Sequence, residues 1–169
     1  MKKVKYVILF MLLMLVIPGQ SLASNSSRRV PVPNNIKVYY YSSISGYSEK
    51  SAYTSWNYAG SPLGFSTTTV RTSGHLRLYY SGSTVKKYIA ISVPINNQIS
   101  SIEFTAKWRA LNNIRRRETV VHEVGHSLGM NHVPPSLNKA SVMRAVDFND
   151  KPYPLTYDKI SLMHAIKNK

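Results

Sequence analysis

The chain has 169 residues, a formal net charge of +15 and no cysteine. A chain of this size holds one domain around one core, and the missing thiols exclude disulfide staples, a cysteine nucleophile and any cysteine-ligated metal. The excess of lysine and arginine predicts attraction to anionic partners such as cell-wall polymers, acidic lipids or acidic proteins, beside the plainer reading of a solvated basic face; no motif specific to nucleic acid accompanies it.

At the N-terminus, Lys2, Lys3 and Lys5 precede an apolar run from Tyr6 to Ile17, and Ser21 and Ala23 put small residues where a signal peptidase reads. Residues 1–23 are predicted to be a signal peptide, so the protein is expected to be secreted. The run falls short of the roughly 20 residues that span a bilayer as a helix, and no membrane span is expected after cleavage. Residues 24–35, with Pro31 and Pro33, read as a short extended leader. Residues 36–169 form the single domain, expected to act as a monomer.

Within that domain, Ile36 to Tyr41 is rich in strand formers and predicts a first strand. Ser48 to Tyr58 predicts a helix that buries Ala52, Trp56 and Tyr53, ended by Gly60, Pro62 and Gly64. Phe65 to Val70 and His75 to Tyr80 predict two more strands, with His75 a structural or surface residue. From Tyr88 to Ile95 the residues Ile89, Ile91, Val93 and Ile95 alternate with Ala90, Ser92 and Pro94, which predicts a strand with one buried face. Pro94 marks an edge or a strand end because it has no N–H for the ladder. Ile102 to Trp108 permits either a strand or an ordered loop.

The next helix is expected to take its cap from Asn112 or Asn113 and to turn Ile114, Val121, Val124, Gly125 and Leu128 inward. Arg115, Arg116 and Arg117 fit a first turn poorly because they oppose the helix dipole. Either the helix starts later, near Glu118, or these arginines serve an anionic partner or a solvated face.

The chemistry concentrates in His122-Glu123-Val124-Gly125-His126-Ser127-Leu128-Gly129-Met130-Asn131-His132. On a helix, His122 and His126 lie about 40° apart around the axis and roughly 6 Å apart along it, so both imidazoles reach one ion. Zinc suits them, and a catalytic zinc takes three protein ligands and keeps one position open. On a continued helix His132 would stand about 15 Å along the axis from His122, so it serves as third ligand only if the helix stops. Gly129 permits that stop by tolerating a left-handed turn. Glu123 supplies the general base for a water activated by the ion.

The pattern HExxHxxGxxH resembles the metzincin signature, and the order of elements looks most like the matrixin branch. The resemblance implies an α+β fold: a twisted mixed sheet, an active-site helix and a small C-terminal lobe with a closing helix. It implies a zinc endopeptidase acting on protein or peptide substrates, with one catalytic Zn2+ held by His122, His126 and His132. An edge strand would hold the extended substrate, and Val85 to Ile91 is the candidate. Met143, in Ser141-Val142-Met143, would form the methionine turn beneath the zinc site, with a small insertion at Ser136 to Lys139. Asp158, early in a closing helix that packs through Ile160, Leu162, Met163 and Ile166, would fix that turn; a charge favoured by the helix dipole is the plainer reading.

The chain also departs from these families. It lacks the cysteine by which many matrixin precursors stay latent, and Arg144 stands where astacin-like relatives carry a tyrosine that binds zinc. Calcium is not supported, because Asp147 and Asp150 fall far short of six to eight oxygen ligands. Pocket specificity falls to the loop between Pro134 and Val142 and to the wall after Met143. The alternative functions are a basic extracellular or cell-wall binding protein with a structural or vestigial zinc site, and a zinc hydrolase acting on a non-protein amide.

Overall fold

The computed structural model describes residues 35–167. The predicted signal peptide and nearly all of the predicted leader lie outside the described residues. Strand-forming side chains make five strands: β1 (Ile36–Tyr40), β2 (Phe65–Thr68), β3 (Leu76–Tyr80), β4 (Ala90–Pro94) and β5 (Ser100–Phe104). They join in one sheet in the order β2-β1-β3-β5-β4, parallel throughout except for β4, which runs antiparallel at the edge.

Register decides which side chains share a face. Val38 pairs with Leu76, Leu78 with Ile102, and Phe104 with Ala90. Val38, Leu76, Leu78, Ile102 and Phe104 are fully buried against Trp56, Trp108, Val120, Val121 and Val124. The opposite face carries Tyr39, Tyr79 and Glu103, where Glu103 accepts hydrogen bonds from Tyr79 and Tyr88 at 3.2 Å each.

Three expected features come out differently. Ser48–Trp56 is a 3-10 helix, with Ala52, Tyr53 and Trp56 buried as expected. Its Ser51 and Thr54 hydroxyls bond the carbonyls three residues back, at 2.9 Å each, offering the backbone the local competition that keeps such residues from favouring α-helix. Trp108 lies on a short helix, α1 (Ala106–Arg109), beyond the end of β5. On β4 the inward side chains are the small ones, Ala90 and Ser92, while Val93 and Ile95 are exposed. On that side the Ser92 hydroxyl meets the Ser127 hydroxyl at 2.8 Å, a contact between small side chains.

The central helix, α2 (Asn113–Ser127), starts where Asn112 caps it by accepting the Arg115 N–H at 2.9 Å, so it does not begin late. Ile114 is 48% exposed, and the buried side runs instead through Val120, Val121, Val124 and Leu128. The first-turn arginines find partners inside the chain: Arg115 pairs with Asp150 at 2.9 Å and Arg116 with Glu49 at 2.7 Å, while Arg117 is exposed. Two tryptophans brace the helix, Trp56 donating to Val121 O and Trp108 to Arg116 O, each at 3.0 Å.

After α2 the chain forms a 3-10 segment, Pro135–Ala140, where the insertion was expected, and ends in α3 (Thr156–Lys167). Leu162 of α3 is buried and Ile166 packs on the core, but Ile160 is 53% exposed. Among the described residues no helix is long and apolar enough to cross a membrane.

Candidate metal centre

The end of α2 decides whether three histidines can meet. Gly129 adopts φ +90°, its N–H bonds His126 O at 2.9 Å, and the Met130 N–H bonds Gly125 O at 3.0 Å. These two bonds are a Schellman cap, which satisfies the last carbonyls and reverses the chain. The reversal returns His132 to the other two histidines. The three Nε2 atoms stand 3.0 Å (His122 to His126), 3.1 Å (His126 to His132) and 3.2 Å (His122 to His132) apart.

That triangle fits one small cation. Nitrogens bound at about 2.0 to 2.1 Å to a tetrahedral zinc stand roughly 3.3 to 3.4 Å apart, close to the observed edges. The outer nitrogens are already committed: His122 Nδ1 lies 2.8 Å from Val142 O, and His126 Nδ1 lies 2.8 Å from Met130 O. A carbonyl accepts only, so both Nδ1 atoms carry the proton and both Nε2 lone pairs face inward. Burial, with neighbouring charges adding to it, pushes His122 down to about 3, and burial also lowers His126 and His132. The imidazoles therefore stay neutral at neutral pH, the form that binds metal. Among the described residues this is the one cluster of three or more His, Asp or Glu that could hold an ion.

Met143 follows Val142, whose carbonyl meets His122, and is fully buried. Gly125 on α2 is required there, because a Cβ would collide with Met143 Sδ and come within 3.1 Å of Trp56 Cζ2. The turn carrying Met143 is held by Asp158, itself fully buried. Asp158 accepts from the Ser141 hydroxyl, from Val142 N at 2.9 Å and from Leu155 N at 2.8 Å, while Ser141 Oγ accepts from Met143 N at 2.9 Å. One carboxylate thus caps α3 and clamps the segment whose Val142 carbonyl orients His122. His75 is remote from this cluster and accepts the Lys37 N–H at 3.0 Å.

Glu123 faces a cavity of about 580 Å³ that also takes in the three histidines, the edge strand and the segment after Met143. The residue is only 7% exposed, and burial pushes its carboxyl up to about 7 against the opposing Ser92 N–H. Ser92 is a partner the sequence did not reveal. Thr105 N bonds Ile89 O and Ile95 N bonds Ile99 O, so the odd-numbered residues of this strand pair with β5. Ala90, Ser92 and Pro94 consequently turn their backbone groups to the outer edge, where proline's missing N–H removes no ladder bond. Ser92 Oγ also meets Ser127 Oγ at 2.8 Å, tying β4 to α2. The strand beside the cavity is therefore Ala90–Pro94, which shares Ala90 and Ile91 with the predicted stretch Val85 to Ile91.

The segment after Met143 is pinned to the first half of α2. Glu118, 2% exposed, accepts the Asn149 N–H at 3.0 Å, and Arg144 lies 3.6 Å from it. Asp150 is engaged by Arg115, and both Asp147 and Asp150 adopt positive φ, 67° and 57°. Sequence periodicity carries no signal for these pairings.

Fold and site together define a mixed α+β protein with a three-histidine site able to hold a metal ion, set in a cleft beneath an edge strand. No known protein family matches the chain, and no curated protein matches it. Solved structures do: a structure of myroilysin matches with a TM-score of 0.58 at 15% identity, covering 85% of this chain and 98% of that one. A crystal structure of myroilysin matches with a TM-score of 0.56 at 14% identity, covering 89% and 96%. At this identity the likeness establishes the fold alone.

Proposed function

We propose that the protein is a secreted zinc-dependent endopeptidase of the metzincin type, with matrixin-like order of elements. The observation that carries the reading is the convergence of three neutral Nε2 lone pairs with the buried Glu123 carboxylate in one cleft beside an antiparallel edge strand. His122, His126 and His132 would hold the zinc, which when bound supplies a Lewis acid that polarises a carbonyl and acidifies water. Glu123 accepts the proton of the attacking water and returns it to the leaving amine; its raised pKa suits a group that must both take and give a proton near neutral pH. The outer-edge groups of Ala90 and the Ser92 carbonyl bind an extended peptide by main-chain hydrogen bonds. Met143, Gly125 and Asp158 position the histidines. The strongly basic composition supports retention at an anionic cell surface after secretion.

The test is casein hydrolysis by the zinc-loaded chain and by Glu123→Gln, with zinc content measured on both. The variant should keep its zinc and lose at least about a hundredfold in rate. Zinc retained by a wild type that cleaves no protein would favour a binding protein with a structural zinc. Cleavage of cell-wall amides but not casein would favour a non-protein amidase.

A further inference from the structure

The wall of the cleft opposite β4 holds a cation the proposed mechanism does not use. Arg144 is 8% exposed and lines the cavity together with Glu118, His122 and Glu123. Among the described residues its Nε and Nη2 atoms have no hydrogen-bond partner. The nearest acid oxygen, Glu118 Oε1, stands 3.6 Å from Nη2, beyond hydrogen-bond reach, and already accepts the Asn149 N–H.

Resting on the endopeptidase reading, we infer that this cavity selects a substrate side chain ending in a carboxylate, an aspartate or glutamate of the peptide, and that Arg144 is the residue that recognises it. A buried guanidinium with orphaned N–H groups is an unfavourable arrangement that a ligand oxyanion relieves. The planar fork of arginine accepts a carboxylate through two parallel bonds, a match an amide or an alkyl group does not reproduce. Glu118 does not fill that place. Its carboxyl is held by the loop backbone, and burial pushes it up to about 7, so its negative charge is incomplete at neutral pH. Glu118 Oε2 is also without a partner, but a basic substrate side chain reaching it would meet the Arg144 charge. The exposed Asp147 at the rim is free to remain in solvent.

The experiment uses the zinc-loaded full chain carrying Glu123→Gln, so that binding is read without turnover, and end-capped hexapeptides that differ at one position: Asp, Asn, Leu or Lys, moved through each position in turn. At one position the Asp peptide should bind about tenfold to a hundredfold more tightly than the Asn peptide. Adding Arg144→Gln should erase that difference, Arg144→Lys should keep part of it, and Glu118→Gln should keep or enlarge it. Asn, Leu or Lys peptides binding as tightly as Asp, no peptide binding at all, or an acid preference that survives Arg144→Gln would each overturn the inference. The peptide series decides it even where Arg144→Gln fails to fold. Wild-type chain that cleaves casein without acid preference defeats this inference alone. Acid-selective binding by a wild type that cleaves nothing defeats the endopeptidase reading alone.

Discussion

Removing the Asp158 carboxylate tests whether the turn carrying Met143 is held by one buried group. In Asp158→Ala three donors lose their acceptor at once: the Ser141 hydroxyl, Val142 N–H and Leu155 N–H. Asp158 is fully buried, so water does not replace what is lost without rearrangement. At about 1 to 3 kcal/mol per orphaned buried donor, the substitution should cost about 3 to 9 kcal/mol. That approaches the whole stability of a domain, about 5 to 15 kcal/mol. Asp158→Asn keeps one oxygen for the two N–H groups but sets an amide NH2 against the Ser141 hydroxyl, which must turn to accept, so about 1 to 2 kcal/mol should be lost. Burial raises the Asp158 carboxyl against the pull of its hydrogen bonds, and urea unfolding at pH 8 with chelator present compares wild type with both variants. Equal losses for Ala and Asn, or a loss below about 1 kcal/mol for Ala, would refute the account of Asp158 as the clamp.

Three further outcomes are expected. Zinc at a thousandfold excess over its Kd should stabilise the chain by about 4 kcal/mol, read as a rise in Tm that chelator reverses and His126→Ala abolishes. Gly125→Ala drives a methyl group into Met143 and Trp56, and overpacking of this kind should cost about 1 to 3 kcal/mol in chelated protein, measured by urea unfolding. Glu118 binds its proton more tightly in the folded chain, with its carboxyl near 7 against an ordinary 4.5, so its contribution favours folding at low pH and is lost as pH rises through that window. Comparing wild type with Glu118→Gln from pH 4 to pH 8, the wild type alone should lose up to about 3 kcal/mol from this source; parallel stability curves would contradict the burial argument.

The features legible in the sequence are local. The four-residue step from His122 to His126, the glycine that ends the helix and the return to His132 are matters of helix geometry and backbone freedom within eleven residues. A period of two placed the strands, and the cap at Asn112 needed only its neighbour three residues on. The sequence misjudged features that depend on what passes nearby. Ile114 looks like core by its spacing yet lies on the solvent side, and β4 turns alanine and serine inward while Val93 is exposed. Arg115 and Arg116 resisted a local account because their partners, Asp150 and Glu49, are remote in the chain. Only the tertiary structure decided that Ser92 faces Glu123, that Val142 O fixes the inward lone pair of His122, and that Arg144 is buried beside Glu118 with donors to spare. The physical reason is range. Backbone geometry repeats over a few residues and can be counted along the chain, whereas burial and pairing between distant residues arise when separate segments compete for the same small volume.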